Sequence, residues 1–398
     1  APFFILYNEY NYDQLQIVAA CDPVADNANS LADQAKEYFG NRPVVVNDLS
    51  QLVDLDIQAV DVTATPKYHH TIIQETLRNG WHTMVEKPMG LTVRACNLMK
   101  KAVNDTGLIL SVAENYRRDP INRLAKALLE ANVIGIPRFL IHHTVGGADQ
   151  MLISVWRHKK NESGVLLDVG VHYADMMEYL LGEIESVYAK IRLHETIRQN
   201  RRAGASDPAG VYGKWQKEMP TEFEATAEDA AYATLQFKSG AVGQYIEDHA
   251  GRGDGLWARQ IHGSLGSITL PGDRSGRPIQ LNLHGQGKIE VDQVLELVPD
   301  FRLDPITASL FGNDRLSSYQ FPFDETDRKL LAFEYGEFAQ AITNNSSVEV
   351  DVDQGTRSVA ISYAMMESST LNRAVTVDEV IAEDADIYQS EINRDLQI

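Results

Sequence analysis

A lysine, an aspartate and a histidine are notable in this sequence because together they can transfer protons. Lys87 lies in the stretch MVEKPMG (84–90), between Glu86 and Pro88, after an apolar run. Pro88 has no backbone N–H and disfavours helical geometry at Lys87, so a strand should end here. Open α/β sheets bind ligands at the carboxyl ends of their parallel strands. We therefore expect the Lys87 ammonium to lie in a cleft. Partial burial there would lower the pKa of the lysine towards the working range of an acid–base catalyst.

Asp168 and His172 lie four positions apart in the stretch SGVLLDVGVHYAD (163–175). If this segment is helical, their side chains lie one above the other on the same face. An exposed pair is the structural alternative, but the apolar residues around them favour a functional contact. A metal site is the other alternative, and it lacks a third and a fourth ligand at a recognisable spacing. We predict no metal and a site that combines both residues with Lys87.

Two strand ends offer contacts to a dinucleotide. Asp22 ends an early strand, where a carboxylate accepts both hydroxyls of an adenosine ribose and favours NAD over its 2′-phosphorylated form. Thr63-Ala64-Thr65-Pro66 ends a later strand and offers backbone and hydroxyl groups. For each segment, an ordinary turn or helix cap is equally consistent with the sequence.

Other aromatic, basic and histidine residues are weaker signals. Trp156-Arg157 and Tyr116-Arg117-Arg118 offer stacking and charge near the predicted cleft, although packing and surface roles are equally consistent with them. His69 and His70 open a predicted helix, and core or capping roles are the better interpretation of such histidines.

The elements that must position these residues change character near residue 115. Before it, apolar strands alternate with helices, which is typical of βαβ units and a parallel sheet. The strands are expected at 15–20, 44–46, 59–63, 82–86 and 108–113, and the helices at 28–39, 49–55, 68–79 and 93–104, with 2–12 as the end of an earlier helix.

After residue 115, turns of Ser and Gly join β-rich runs, which indicates hairpins and an antiparallel-rich sheet. The strands are expected at 138–144, 186–193, 230–237, 241–246, 258–262 and 267–270, and the helices at 120–132, 164–181, 330–343 and 355–372. The stretches 195–228 and 272–328 are long for loops, so we expect functional or oligomer-forming insertions there. We predict an acidic tail at 379–398.

Composition excludes several kinds of partner. The net charge of −20 argues against nucleic acid and anionic membranes, which select basic surfaces. The length of 398 residues predicts two or three domains. Two cysteines, Cys21 and Cys96, fit a reducing compartment, and we predict a cytoplasmic location. No apolar run approaches the roughly 20 residues that a membrane helix needs.

Several motifs in order resemble those of the Gfo/Idh/MocA family, the relatives of glucose–fructose oxidoreductase and inositol dehydrogenase. They are CDP (21–23), TATPKYHH (63–70), EKPMGLTV (86–93), ENYRRDP (114–120), WR (156–157) and SGVLLDVGVHYADMM (163–177). The resemblance covers residues 1–193 and resumes at 230–270 and 330–377. Its most specific part is Glu-Lys-Pro combined with the later Asp-x-Gly-x-His, here residues 168–172.

The resemblance implies an α/β fold in two domains. Residues 1–115 would form a Rossmann-type doubly wound parallel sheet that binds NAD, and residues 116–398 an α/β domain with an open, antiparallel-rich sheet. By position, Lys87, Asp168 and His172 would be catalytic, with Asp168, His172 and Tyr116 at the substrate. The cofactor-contacting positions would be Asp22, Thr63, Pro66, Glu86, Lys87, Trp156 and Arg157. The family's glycine-rich phosphate loop should precede Pro2, so we expect the natural chain to extend upstream of Ala1 by roughly 15–30 residues.

The expected function is NAD-dependent oxidation of a secondary alcohol of a sugar, glycoside or cyclitol, by hydride transfer to nicotinamide, with Lys87 and His172 as the acid–base groups. One rival is a glycosidase that retains its NAD through oxidation, elimination and reduction. Another is a non-catalytic sugar or NAD sensor, against which the intact Lys87, Asp168 and His172 argue. We also expect a homodimer or homotetramer, built through an uncovered face of the sheet around 186–270.

Overall fold

Five short strands, all in parallel pairs, form the sheets of the N-terminal part. In the computed structural model, which describes residues 15–201 and 213–398, they are β1 (Ala19–Cys21), β2 (Val44–Val46), β3 (Ala59–Val62), β4 (His82–Glu86) and β5 (Leu110–Ala113). β1 pairs with β2, and β4 lies between β3 and β5. The helices are α1 (Ala25–Phe39), α2 (Pro66–Arg78) and α3 (Val93–Thr106). The expected alternation of strand and helix is thus confirmed.

Most boundaries of the N-terminal elements agree with the prediction to within three residues, and two elements differ more clearly. β2 and β4 have the predicted bounds, and α3 ends at Gly107, whose φ of 69° is left-handed and whose N–H donates to Val103 O over 2.8 Å. β1 is shorter than the predicted run 15–20 and ends one residue later, and among the described residues it pairs with β2. The helix expected at 49–55 is a 3₁₀ turn at Leu49–Leu52. The helix expected at 2–12 lies outside the described residues.

The C-terminal part is built on one nine-stranded sheet. Its strands and the two short ones that accompany it are β6 (Pro137–Gly147), β7 (Ile184–Arg192), β8 (Ile197–Gln199), β9 (Glu222–Glu224), β10 (Ala230–Phe237), β11 (Val242–Gly251), β12 (Leu256–Gly263), β13 (Gly266–Leu270), β14 (Gln280–Leu283), β15 (Gly287–Ile289) and β16 (Val375–Thr376). The order is β15-β14-β13-β12-β6-β11-β10-β7-β16, and every pair is antiparallel except β6 with β11. The expected antiparallel-rich sheet is confirmed.

Helices cover one face of this sheet. The helices of the C-terminal part are α4 (Pro120–Glu130), α5 (Val165–Asp168), α6 (Gly170–Leu181), α7 (Gly213–Gln216), α8 (Val291–Val294), α9 (Pro305–Phe311), α10 (Phe323–Asn344), α11 (Val352–Leu371), α12 (Val377–Ile381) and α13 (Ser390–Leu396). Of these, α4, α11 and α12 pack on the large sheet, whereas α10 packs on β5 of the N-terminal part. α11 packs on β7 and α6 and also reaches α3. On β10 the residues that face these helices, such as Ala233 and Leu235, are buried, whereas Thr234 between them is exposed. The alternation follows from the strand period of two.

The two unassigned stretches contain regular structure. β8, β9 and α7 lie in the stretch 195–228, of which residues 202–212 are outside the described part. β14, β15, α8 and α9 lie in the stretch 272–328 and extend the large sheet by two strands. An oligomer-forming role for either stretch stays a prediction, as does the domain boundary at residue 115.

The expected acidic tail at 379–398 is wrong, because this segment folds onto the N-terminal part. Gln389 is buried, and its side-chain oxygen accepts from Val93 N over 2.8 Å at the first turn of α3. Arg94 pairs with Glu383 at 2.7 Å and with Asp386 at 3.2 Å. Two acidic residues of the expected tail thus meet a cation of α3. Across the described ranges, no helix combines the length and the apolar character needed to cross a membrane.

Candidate active site

The ends of two neighbouring strands form the base of the site. β4 and β5 are parallel with Glu86 opposite Ala113, so the next residues, Lys87 and Glu114, leave the sheet at the same level. Lys87 is half-buried and Glu114 is buried. The sheet register therefore presents a cation and a carboxylate side by side at the edge where α/β sheets bind ligands.

Lys87 is held by Asp168 at the end of α5. Its Nζ donates to Asp168 Oδ1 over 3.1 Å and to the Asp168 carbonyl over 2.9 Å. Arg157 Nε donates to Asp168 Oδ2 over 2.8 Å, so both carboxylate oxygens are engaged. Burial alone would raise the pKa of Asp168, but the charges of Lys87 and Arg157 outweigh it and hold the pKa well below its usual range. Asp168 is therefore ionised and fixes two cations.

His172 has a different carboxylate partner. Its Nδ1 lies 2.8 Å and 2.7 Å from the two carboxylate oxygens of Glu114, which also accepts from Tyr116 N over 2.9 Å. The continuous helix expected at 164–181 is interrupted at Val169 between α5 and α6. Asp168 and His172 thus come from one stretch, as predicted, but each pairs with a group from a different strand end rather than with the other.

The His172–Glu114 pair favours a neutral imidazole. Burial lowers the pKa of His172; the charge of Glu114 opposes this, and that of Lys87 adds to it. Burial opposes charge on Glu114 as well, but there the interaction with His172 and the hydrogen bond from Tyr116 N prevail, so the pKa of Glu114 lies below its usual value. An ionised Glu114 accepts from Nδ1–H, which leaves the lone pair of Nε2 free.

Glu114 is the residue that the sequence interpretation missed. It belongs to the ENYRRDP motif and follows β5 directly, in the same way that Lys87 follows β4. That position was the available signal, because the carboxyl ends of adjacent parallel strands meet at one edge. Its pairing with His172, 58 residues further on, depends on tertiary structure.

Tyr116 lies under His172 rather than open to a ligand. The two rings are stacked, with centroids 4.0 Å apart and planes within 4° of each other. Tyr116 is 8% exposed. One face of its ring is therefore covered by the imidazole, and the contact with a sugar that the resemblance implied stays a prediction.

The residues at the other predicted cofactor positions lie after strands or in the loop before α5. Asp22 follows β1 and is half-buried; Oδ1 accepts from Val24 N over 2.7 Å and Oδ2 from Asn27 Nδ2 over 3.2 Å. Each carboxylate oxygen has a second lone pair, so this carboxylate also fits ribose hydroxyls. Thr63 is exposed after β3, and Pro66 is the buried first residue of α2.

Glu86 and Trp156 complete that set. Burial raises the pKa of the Glu86 carboxyl to about 7, against the effect of Lys87. The half-buried Trp156 ring stacks on Arg157, with Cζ 4.1 Å from its centroid. A planar ring, carboxylates and a hydroxyl are groups that fit the chemistry of a dinucleotide. His69 is fully buried and hydrogen-bonds the Ala64 carbonyl over 2.8 Å, so its structural interpretation is confirmed. Among the described residues, no group of three or more His, Cys, Asp or Glu side chains is arranged to hold a metal ion.

A parallel sheet whose strand ends carry these groups, joined to an open mixed sheet, defines a two-domain, Rossmann-type oxidoreductase. Two family models match the chain: the oxidoreductase family's NAD-binding Rossmann fold over residues 3–114 and its C-terminal α/β domain over residues 126–377. The chain belongs to the Gfo/Idh/MocA oxidoreductase family, and its cofactor domain is that family's NAD-binding domain.

Curated relatives include dehydrogenases of sugars and inositols. Levoglucosan dehydrogenase of Pseudarthrobacter phenanthrenivorans is 30% identical over 258 residues, 63% of this chain and 65% of that protein. Myo-inositol 2-dehydrogenase of Thermotoga maritima is 23% identical over 361 residues, 90% of this chain and 91% of that protein. The match spans less than two thirds of two of these relatives: 65% of levoglucosan dehydrogenase and 62% of D-glucoside 3-dehydrogenase of Escherichia coli.

Solved structures share the fold over nearly the whole chain. The structure of levoglucosan dehydrogenase in complex with NADH and L-sorbose superposes with a TM-score of 0.72 and 22% identity, covering 96% of this chain and 95% of that one. An NAD-binding oxidoreductase from Klebsiella pneumoniae gives the same TM-score at 21% identity, covering 94% of this chain and 93% of that one. At such identity the likeness is one of fold.

Proposed function

We propose that the protein is an NAD-dependent dehydrogenase that oxidises a secondary alcohol of a sugar, glycoside or cyclitol. The observation that carries the proposal is the pair of contacts at the ends of β4 and β5, the ion pair of Lys87 with Asp168 and the hydrogen bond of His172 with Glu114. The family and its curated dehydrogenase relatives support the substrate class.

In this proposal His172 is the base. Its neutral imidazole presents Nε2 to the substrate hydroxyl and takes the proton, while Glu114 holds Nδ1–H and so fixes the tautomer and the ring orientation. As the imidazolium forms, the ionised Glu114 stabilises its charge. The proton therefore moves to an imidazole that is neutral before the reaction and forms an ion pair with Glu114 after it.

Lys87 acts as a hydrogen-bond donor to the reacting oxygen. Two of its contacts are with Asp168, and an ammonium has three N–H groups, so a third is available. Placed beside the substrate oxygen, it stabilises the alkoxide character that develops as the proton leaves. Asp168 then acts as a positioning residue, because it fixes Lys87 and Arg157.

NAD, when bound, supplies the acceptor for the hydride that leaves the carbinol carbon. Asp22, Thr63, Pro66, Glu86, Trp156 and Arg157 are the residues that we propose to hold it. The half-exposed Trp156 ring, backed by Arg157, offers a flat apolar surface, and Asp22 offers acceptors to ribose hydroxyls.

The test is incubation of the protein and NAD with a panel of polyols, sugars and aryl glycosides. We expect NADH to accumulate with at least one polyol or sugar, and a His172→Asn variant to show none. Release of aglycone without NADH would instead support the NAD-retaining glycosidase, and binding without turnover would support a sensor.

A further inference from the structure

We propose that Arg274, from the stretch 272–328, is a positioning residue that orients His172 through Tyr116 and places a positive charge behind it. This inference rests on the proposed function, because it concerns the base of that reaction. The loop between β13 and β14, at the start of the stretch 272–328, would then contribute a residue to the active site.

The geometry is a stack of four planar groups. His172 covers one face of Tyr116, with ring centroids 4.0 Å apart. The Arg274 guanidinium carbon lies 4.7 Å from the centroid of Tyr116 and 4.5 Å from that of Phe323. Since the imidazole occupies one face of Tyr116, the guanidinium takes the other and lies between the two aromatic rings. Cation–π contacts of this kind fix both orientation and distance.

Hydrogen bonds hold Arg274 in this stack. Its Nη1 donates to Asp327 Oδ1 over 2.5 Å, and its Nη2 donates to the Tyr116 hydroxyl over 3.1 Å. The Arg274 backbone N–H donates to Asp119 Oδ2 over 2.8 Å. The backbone φ of Arg274 is 60°, in the left-handed region that non-glycine residues rarely adopt. The surrounding contacts thus keep this side chain in place against a local preference.

The charge of Arg274 acts on the imidazole. Three charged groups act on His172: Glu114 after β5, Lys87 after β4 and, behind Tyr116, Arg274 after β13. Burial and the two cations lower the pKa of His172, and Glu114 raises it. Removing the Arg274 charge should therefore raise the pKa of His172. A group that only clamped the insertion would have no such effect on the imidazole.

The first experiment measures the imidazole directly, without substrate. His172 is titrated by NMR in the full chain labelled with ¹³C-histidine, its signal assigned by its loss in His172→Asn. We expect Arg274→Gln to raise the pKa of His172 by roughly 0.5–1 unit, as a lost neighbouring charge does. Arg274→Lys, which keeps the charge, should stay closer to wild type. Arg277→Gln is the matched control, since Arg277 is exposed in the same loop.

A second variant shifts the pKa in the opposite direction. Asp327 neutralises part of the Arg274 charge, so Asp327→Asn should lower the pKa of His172. The two shifts of opposite sign cannot both come from a general loosening of the site. Arg274→Gln and Arg277→Gln with the same His172 titration would overturn the inference, as would a shift of the same sign in Asp327→Asn.

The second experiment uses turnover. With a substrate from the panel, the acid limb of kcat/KM should move to higher pH in Arg274→Gln, and kcat should fall roughly 10- to 100-fold because the imidazole is less well oriented. An active wild type whose acid limb does not move in this variant refutes the inference and leaves the proposed function standing. A wild type that oxidises nothing refutes the proposed function, and the titration still decides the role of Arg274.

Discussion

Nδ1 of His172 lies 2.7 Å from Oε2 of Glu114, and both side chains are buried. This carboxylate, and not Asp168, is the group that fixes the imidazole. Asp168 is occupied by Lys87 and Arg157 instead. The site therefore separates two tasks: one carboxylate holds the ammonium of Lys87 and the other holds the imidazole of His172.

Glu114→Gln should reduce kcat roughly 100-fold, because the imidazole loses the charge that stabilises it once protonated. The KM for NAD should change little. Since Glu114 raises the pKa of His172, its removal should also move the acid limb of kcat/KM to lower pH. Steady-state kinetics across pH measures both effects. Glu130→Gln, an exposed carboxylate on α4, is the control, and equal kcat values in the two variants would contradict the assignment.

Lys87→Ala should abolish turnover while NAD affinity stays within a few-fold, because Lys87 is proposed to act on the reacting oxygen. NADH formation and NAD binding by calorimetry measure the two quantities separately. Lys101→Ala, which removes an exposed lysine of α3, should behave as wild type. Near wild-type turnover in a folded Lys87→Ala protein would contradict the proposed role of Lys87.

The end of β4 and the buried face of β10 could be predicted from the sequence, because local patterns determine them. An apolar run followed by Glu86, Lys87 and Pro88 predicts where β4 stops, and the structure has β4 end at Glu86. The alternation of Ala233, Thr234 and Leu235 likewise predicts which face of β10 is buried. Such features depend on neighbours within a few residues, so one sequence contains them.

The partners of the site residues could not be predicted in the same way. The i,i+4 spacing suggested that Asp168 faces His172, yet each side chain meets a strand end more than 50 residues away, at Lys87 and Glu114. Arg274 is farther still from His172 in sequence and lies in a stretch without a clear pattern. The acidic segment 379–398 was expected to be a tail, because the sequence does not reveal Arg94 as a partner of Glu383. Long-range pairing of charges leaves no local signal.

The protein should prefer NAD to NADP, because the Asp22 carboxylate would repel a 2′-phosphate. Neighbouring Pro23, Val24 and Ala25 supply no cation to offset that charge. The ratio of kcat/KM for the two cofactors measures the preference, and Asp22→Ala should bring it closer to one. Asp26→Ala, in the first turn of α1, is the matched control. A kcat/KM higher with NADP than with NAD in the wild type would refute this prediction.

The protein should form a homo-oligomer through the face of the large sheet that the helices leave uncovered. On this face, Phe139 of β6 lies opposite Val242 of β11, and both are about 40% exposed. Tyr188 of β7 is 46% exposed. Apolar side chains from three strands of one sheet therefore share a surface that a second copy of the chain can cover.

Charged substitutions on this face test the prediction. Val242→Glu and Tyr188→Glu should each lower the mass in solution, measured by light scattering at micromolar concentration, because closing the interface would bury an unpaired carboxylate at a cost of several kcal/mol. Ile387→Glu is the control: Ile387 is 56% exposed, but it lies in the C-terminal segment before α13 rather than on the sheet. The monomers should stay folded, because each substituted side chain points away from the helix-covered core. A wild type that is already monomeric, or variants with the wild-type oligomer mass, would show that this face is not the interface.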